Sequence, residues 1–274
     1  MEKRFEHPNI SMTIEQQLES YCHCSNTTER HRSLWYAWQH NKKWLAQMME
    51  WAMPSFPSYS KHDVSHAETV IHNIEMLLGE NAIKALSASD CFLLLHVVYI
   101  HDIGMCITND YRKSLMGNPD FLRFLKECSS DLILKKYADV LLAECDELHR
   151  MYSVSEHDPR NDGDKKKVLQ IKLKVYYAII YLVAEFSRSR HGQESRKVLN
   201  EWIGDDSKLG AGFSTSGIPS RFFYTIGACA CVHTSYDFQD IMALPKRDGG
   251  YAKDYMHPRF AAVLLQLGDA LDLD

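Results

Sequence analysis

The 274-residue chain has no C-x-x-C pair among its eight cysteines, no apolar segment at its start and no strong excess of either charge. Each absence removes a class of protein. The closest cysteines, Cys22/Cys24 and Cys229/Cys231, are separated by one residue. That is neither zinc-knuckle nor redox spacing, and it builds no disulfide framework. Such usage fits reduced thiols in a cytoplasmic protein. A net charge of −5, from 31 Lys+Arg and 36 Asp+Glu, lacks the bulk basic signature of nucleic-acid binders, although a local basic cleft stays compatible with it. The opening MEKRFEHPNI is charged and carries no apolar core of a signal peptide. The run VYYAIIYLVAEF (175–186) is too short to cross a bilayer and reads as buried helix. No membrane role is expected. IGDDSKLGAGFS carries glycines without a Walker lysine and is not a phosphate-binding loop. YCHC (21–24) lacks a second ligand pair for zinc.

What remains is helical. In HAETVIHNIEMLL the apolar residues Ala67, Val70, Ile71, Ile74, Leu77 and Leu78 recur at helical spacing, with His66 on the margin of the stripe. Ser89 or Asp90 suits the cap of the next helix, which runs apolar on all sides through Ile100. Further helices are expected over 33–52, 121–145, 167–188, 194–202, 222–235 and 258–272, the last opening on Pro258. Trp35, Trp38, Trp44 and Trp51 fall at helical spacing, which favours a packed amphipathic helix over a base-stacking platform. With no strand ladder and no internal repeat, the fold class is all-α.

Three polar stretches, 153–166, 204–220 and 244–255, read as surface loops rather than linkers. One domain over 1–274 is therefore expected, with a helical extension over 1–55 packed on it. The apolar pattern of the last helix still runs at Asp274 without a capping glycine. The chain is thus expected to be the N-terminal part of a longer protein.

The chemistry concentrates where apolar runs are interrupted. LLLHVVYIHDIGM (93–105) ends on His101 and Asp102. An ionised carboxylate in a core is costly unless it is paired, protonated or metal-bound. Taken alone, the dipeptide reads as a hydrogen-bonded pair. Upstream, SYSKHDVSHAETV adds His62 and His66; downstream, LLQLGDALDLD places Asp269 in an apolar helix. His66, His101, Asp102 and Asp269 thus sit at or beside buried helical faces. Imidazole and carboxylate are the ligands that divalent transition metals of intermediate hardness accept. Three helices can converge on one cation and leave positions open for water and substrate.

The order H…HD…D resembles the HD superfamily of metal-dependent phosphohydrolases. The likeness runs from about Trp35 to the C-terminus and is closest to the HD-CE branch, through FPSYSKHDVSHAETV, EFSRSRHGQESRKVL (185–199) and GDALDLD. It implies an HD-domain helical bundle with additional N-terminal helices and a divalent metal, as one or two ions of Mn, Fe, Ni, Co, Zn or Mg. His66, His101, Asp102 and Asp269 would be ligands. Members with two further histidines hold a second ion, for which His191 and His233 are the candidates, with Asp102 as the bridge. The implied reaction is hydrolysis of a phosphomonoester or phosphodiester, in a nucleotide, another phosphorylated small molecule or a nucleic acid, by metal-activated water. Arg190, flanked by Arg188 and Arg196, would hold phosphate through its guanidinium. His62 would give a proton to the leaving group. Lys246 and Arg247 are weaker phosphate candidates. The branch is often followed by an Hsp90-like ATPase domain, so the alternative is a metal- or nucleotide-binding module that regulates such a C-terminal domain, and a catalytically silent scaffold ranks third. Met105 stands where the cyclic-dinucleotide branch commonly has lysine, and no Gly-Tyr-Pro signature is present. That activity is not expected, nor is dNTP triphosphohydrolysis.

Overall fold

In the computed structural model, residues 11–52, 64–105, 114–127, 131–141, 143, 162–204, 212–215, 217–232, 234 and 237–272 are described. Helices dominate: α1 (Ile14–His23), α2 (Glu29–Ala52), α3 (Val64–Ala85), α4 (Ala88–Ile100), α5 (Pro119–Glu127), α6 (Asp162–Arg188), α7 (His191–Gly204), α8 (Ser220–Val232), α9 (Phe238–Ala243) and α10 (Pro258–Ala270). The all-α expectation holds. Packing divides the chain into two units. The first holds Met1–Met53, Ser58–Cys106 and Arg190–Asp274; the second holds Pro54–Pro57 and Ile107–Ser189.

The first unit is organised around α4, whose every residue from Ala88 to Ile100 is buried. The segment Ala88–Met105 is long and apolar enough to cross a membrane, yet all of it lies inside the fold, as a core helix does. Helices α1, α2, α3, α8 and α10 all pack on α4. On α2 the buried positions Leu34, Ala37, Trp38, Asn41, Leu45 and Met49 recur every three to four residues, the stripe of an amphipathic helix. Trp38 meets Tyr99 edge-on with centroids 5.2 Å apart, and its indole N–H donates to Glu15 at 3.1 Å. Buried Glu75 of α3 accepts the Ile14 amide at 2.8 Å, which fastens the start of α1 to α3. Gly79 breaks α3 with φ +70°, a left-handed conformation that only glycine adopts without strain.

The second unit packs Phe121 of α5 edge-on to Phe186 of α6 at 5.2 Å, and Tyr137 stacks on Tyr181 at 4.2 Å.

Three local expectations are corrected. The cap of α4 is Ser87, whose hydroxyl accepts the Asp90 amide at 2.9 Å. Ser89 and Asp90 are instead committed to tertiary bonds with Asp254 and His257. A single helix over 121–145 gives way to α5 and a separate helical stretch from 132, because the Asp131 carboxylate caps the amides of Ile133 and Leu134 at 2.8 and 3.1 Å. The loop over 244–255 contains a two-residue antiparallel pairing, β1 (Asp248–Gly249) with β2 (Tyr255–Met256). Two residues are too few to show an alternating pattern in sequence.

One buried histidine makes the core sensitive to acid. His96 is fully buried on α4; its Nδ1 donates to Phe92 O at 2.9 Å and its Nε2 faces the Asn41 amide at 3.2 Å. Burial pushes its pKa down from 6.5 to about 3. The unfolded chain therefore binds a proton below pH 6.5 that the folded chain refuses until about pH 3. Stability from this group is complete above that window and falls with acid, by about 1.4 kcal/mol per pH unit. Urea midpoints of wild type and His96→Gln, measured between pH 7 and pH 4.5 (roughly the upper part of the window), should show the shallower acid slope in the variant.

Candidate metal centre

The helix α4 delivers its polar end into a turn shaped by other backbone. His101 follows α4, Asp102 comes next, and Ile103–Met105 form a single 3₁₀ turn. Buried Ser195 of α7 brackets that turn: its hydroxyl donates to His101 O at 2.6 Å and accepts the Gly104 amide at 2.8 Å. A Cβ on Gly104 would collide with His191 O and come within 2.7 Å of Ser195 N. Glycine at 104 is what lets the turn lie against α7.

Four of the expected ligands meet here. His101 is fully buried and Asp102 is 4% exposed. The Nδ1–H of His101 donates to Val98 O at 2.5 Å, so Nε2 is the nitrogen that faces the cluster. The Nδ1–H of His66 donates to the Asp272 carboxylate at 2.7 Å, which likewise turns Nε2 into the cluster. The two Nε2 atoms face each other at 3.3 Å. Asp102 Oδ2 lies 3.1 Å from His101 Nε2 and 3.3 Å from His66 Nε2. Asp269 Oδ1 lies 3.3 and 3.8 Å from His66 and His101. One atom from each of His66, His101 and Asp269 falls within 4.8 Å of the others, a grouping able to hold an ion.

Asp102 also reaches a third imidazole. Its Oδ1 lies 3.3 Å from His191 Nε2, at the first residue of α7. One carboxylate oxygen therefore faces the His66/His101 pair and the other faces His191. Arg190, half-buried, immediately precedes His191, and its carbonyl accepts the Glu194 amide at 3.0 Å. Arg196 lies exposed on α7, while Arg188 belongs to the second unit, where it pairs with Glu185. His62 and His233 lie outside the described residues.

Electrostatics explain why this cluster needs positive charge. Burial alone would lower the pKa of His66, but hydrogen bonds to Asp102, Asp269 and Asp272 overcome it and push the value up to about 11. Burial also works against charge on His101, and Asp102 and Asp269 raise its pKa in spite of it. The carboxylates thus hold protons on imidazoles, the same demand that a divalent cation would satisfy. The donor set of imidazole and carboxylate fits such a cation.

Sequence reasoning passed over three residues. Asp272 orients His66 from outside the cluster, the arrangement that fixes a ligand's tautomer. Ser195 shapes the turn. Gly268 lets α10 reach α3: a Cβ there would lie 2.7 Å from Ile74 Cγ1 and 3.0 Å from Val70 O. The Asn73 side chain also donates to Gly268 O at 3.0 Å, which fixes the register that sets Asp269 beside His66. Asp272 alone carried a readable signal, as an acid three residues after Asp269 on a helical end.

Two outcomes test this geometry. Asp272→Asn should weaken manganese binding by about 10- to 100-fold in calorimetric titration with the helical circular dichroism unchanged. Gly104→Ala should cost about 2 kcal/mol in urea unfolding, the overpacking penalty, and Gly104→Ser no less.

A family model described as HD-CE matches residues 56–274. Searches among curated proteins and among solved structures gave no match. With the residues of the H…HD…D order drawn to one point and the match spanning most of the sequence, the chain belongs to the HD-CE family.

Proposed function

We propose that the unit built on α4 is a divalent-metal-dependent phosphohydrolase acting on a nucleotide or other phosphomonoester or phosphodiester. One observation carries the reading: His66, His101 and Asp269 place ligand atoms within 4.8 Å of one another, beside an Asp102 carboxylate shared with His191. When bound, a divalent cation supplies Lewis acidity towards phosphoryl oxygens and makes water more acidic.

The remaining work falls to the chain. His66 and His101 are locked with Nε2 inward by Asp272 and Val98, so no reorientation precedes binding of the cation. Asp102 is buried where water is scarce, which strengthens its attraction for positive charge. Asp269 is the most open of the group, with 36% of its side chain exposed, and marks the side from which substrate approaches. Arg190 is assigned to the phosphoryl oxygens, His62 to proton delivery at the leaving oxygen, and His191 with His233 to a second ion. The partners assigned are a phosphorylated small molecule or nucleic acid at this site and, as the family suggests, a C-terminal Hsp90-like ATPase domain.

Purified protein with manganese, nickel or cobalt should hydrolyse bis(p-nitrophenyl) phosphate or a nucleotide, and chelation should stop it reversibly. Loss of an outer-sphere partner costs about 10- to 100-fold in such centres, so His101→Ala and Asp102→Ala should each cost at least that in kcat/KM while retaining the helical spectrum. Undiminished turnover in the double variant sinks the proposal. Tight metal binding without turnover across a broad phosphoester panel would favour a sensing role instead.

A further inference from the structure

A cavity lies at the other end of α10 from Asp269. It has a volume of about 560 Å³, within the usual range for small-ligand sites. Its apolar wall comes from two sources: Ala82, Ala85 and Leu86, after the Gly79 break in α3, and Phe260 and Val263 of α10. Lys246, His257, Arg259 and Asp90 complete the lining. From His257 to Asp269 is twelve residues, about 18 Å along a helix, so this cavity is separate from the metal centre.

The polar side of the cavity is built rather than incidental. Asp90 is buried and its charge is already answered: it accepts the His257 amide at 2.8 Å, His257 Nδ1 at 3.0 Å and the Ser87 hydroxyl at 3.0 Å. That pairing orients the imidazole and leaves Nε2 with no protein partner among the described residues. Arg259 is braced by Leu244 O and Met242 O through Nε and Nη2, at 3.1 and 2.7 Å, with no partner to Nη1 among the described residues. Lys246 is exposed and has no ion pair among the described residues. The N-terminal end of α10, which opens on Pro258, adds the positive end of its dipole, and no side chain caps it. Lys246 and Arg259 face no carboxylate among the described residues, whereas the single acid of the lining is spent on His257 and Ser87.

We propose that this cavity binds a small amphipathic anion, with its apolar body against Leu86, Phe260 and Val263 and its head at Lys246, His257 and Arg259. Carboxylate and phosphate heads share this chemistry. The site does not depend on the phosphohydrolase reading.

The test uses the full chain and calorimetric titration with four probes of equal chain length below their micellar concentrations: decanoate, decyl phosphate, decanol and decyltrimethylammonium. Decanoate, decyl phosphate or both should bind one per chain, and which of them binds tighter identifies the head. Lys246→Glu, at an exposed position, should weaken that binding by about tenfold, the worth of one charge-assisted hydrogen bond. Ala82→Trp should fill the cavity and remove it. His101→Ala should leave it unchanged, which separates this site's failure from failure of the metal centre. Binding of decanol or of the cationic probe as tight as that of the anions would overturn the proposal, as would anion binding indifferent to Lys246→Glu and Ala82→Trp, or no binding at all.

Discussion

Imidazole nitrogens and carboxylate oxygens aimed at one buried point repel one another until positive charge joins them. That constraint governs the first unit. Asp102 is held at 4% exposure between three imidazoles, and its neighbours must gather protons or a cation to tolerate it. The cost of an unanswered buried carboxylate is large, so the fold must keep the compensating groups from drifting away. Most of the features around the cluster serve that end.

The means are backbone contacts and close approaches. Helix α4 is buried on every side, so its last turn cannot rotate to expose His101. Ser195 then grips the following turn through a carbonyl and an amide, not through the reactive side chains. On the opposite side, Gly268 brings α10 against α3 until Asp269 stands within 3.3 Å of His66. Ligands carried at the ends of packed helices are more precisely placed than ligands on loops. The cavity at the start of α10 uses the same helix with different chemistry, an apolar wall beside Lys246, His257 and Arg259.

Much of this was legible in the sequence because the signals were local. Periodicity marked α2, α3, α4 and α10, and a polar residue breaking an apolar run marked His101, Asp102 and Asp269. Asp272 could be read as an acid at the helix end, but its role exists only once α10 lies beside His66. Ser195 looks like any small polar residue on a helix until Gly104 is seen beneath it. Ser89 and Asp90 resembled caps because their preference for helix ends is real, but Asp254 and His257 compete for them from residues far along the chain. The pairing of β1 with β2 has no period to detect. The Lys246 loop read as a weak phosphate site, and the apolar cavity beside it had no sequence signal.

The last turn of α10 has an electrostatic problem of its own. Its carbonyls already gather partial negative charge, and Asp269 and Asp272 add two carboxylates there, with the Asp272 amide folded back on Asp269 O at 3.0 Å. Positive charge at His66, or at a cation beside it, therefore answers the negative end of this helix. Charge gathered at His66 and the winding of this helix end are therefore one event seen from two sides.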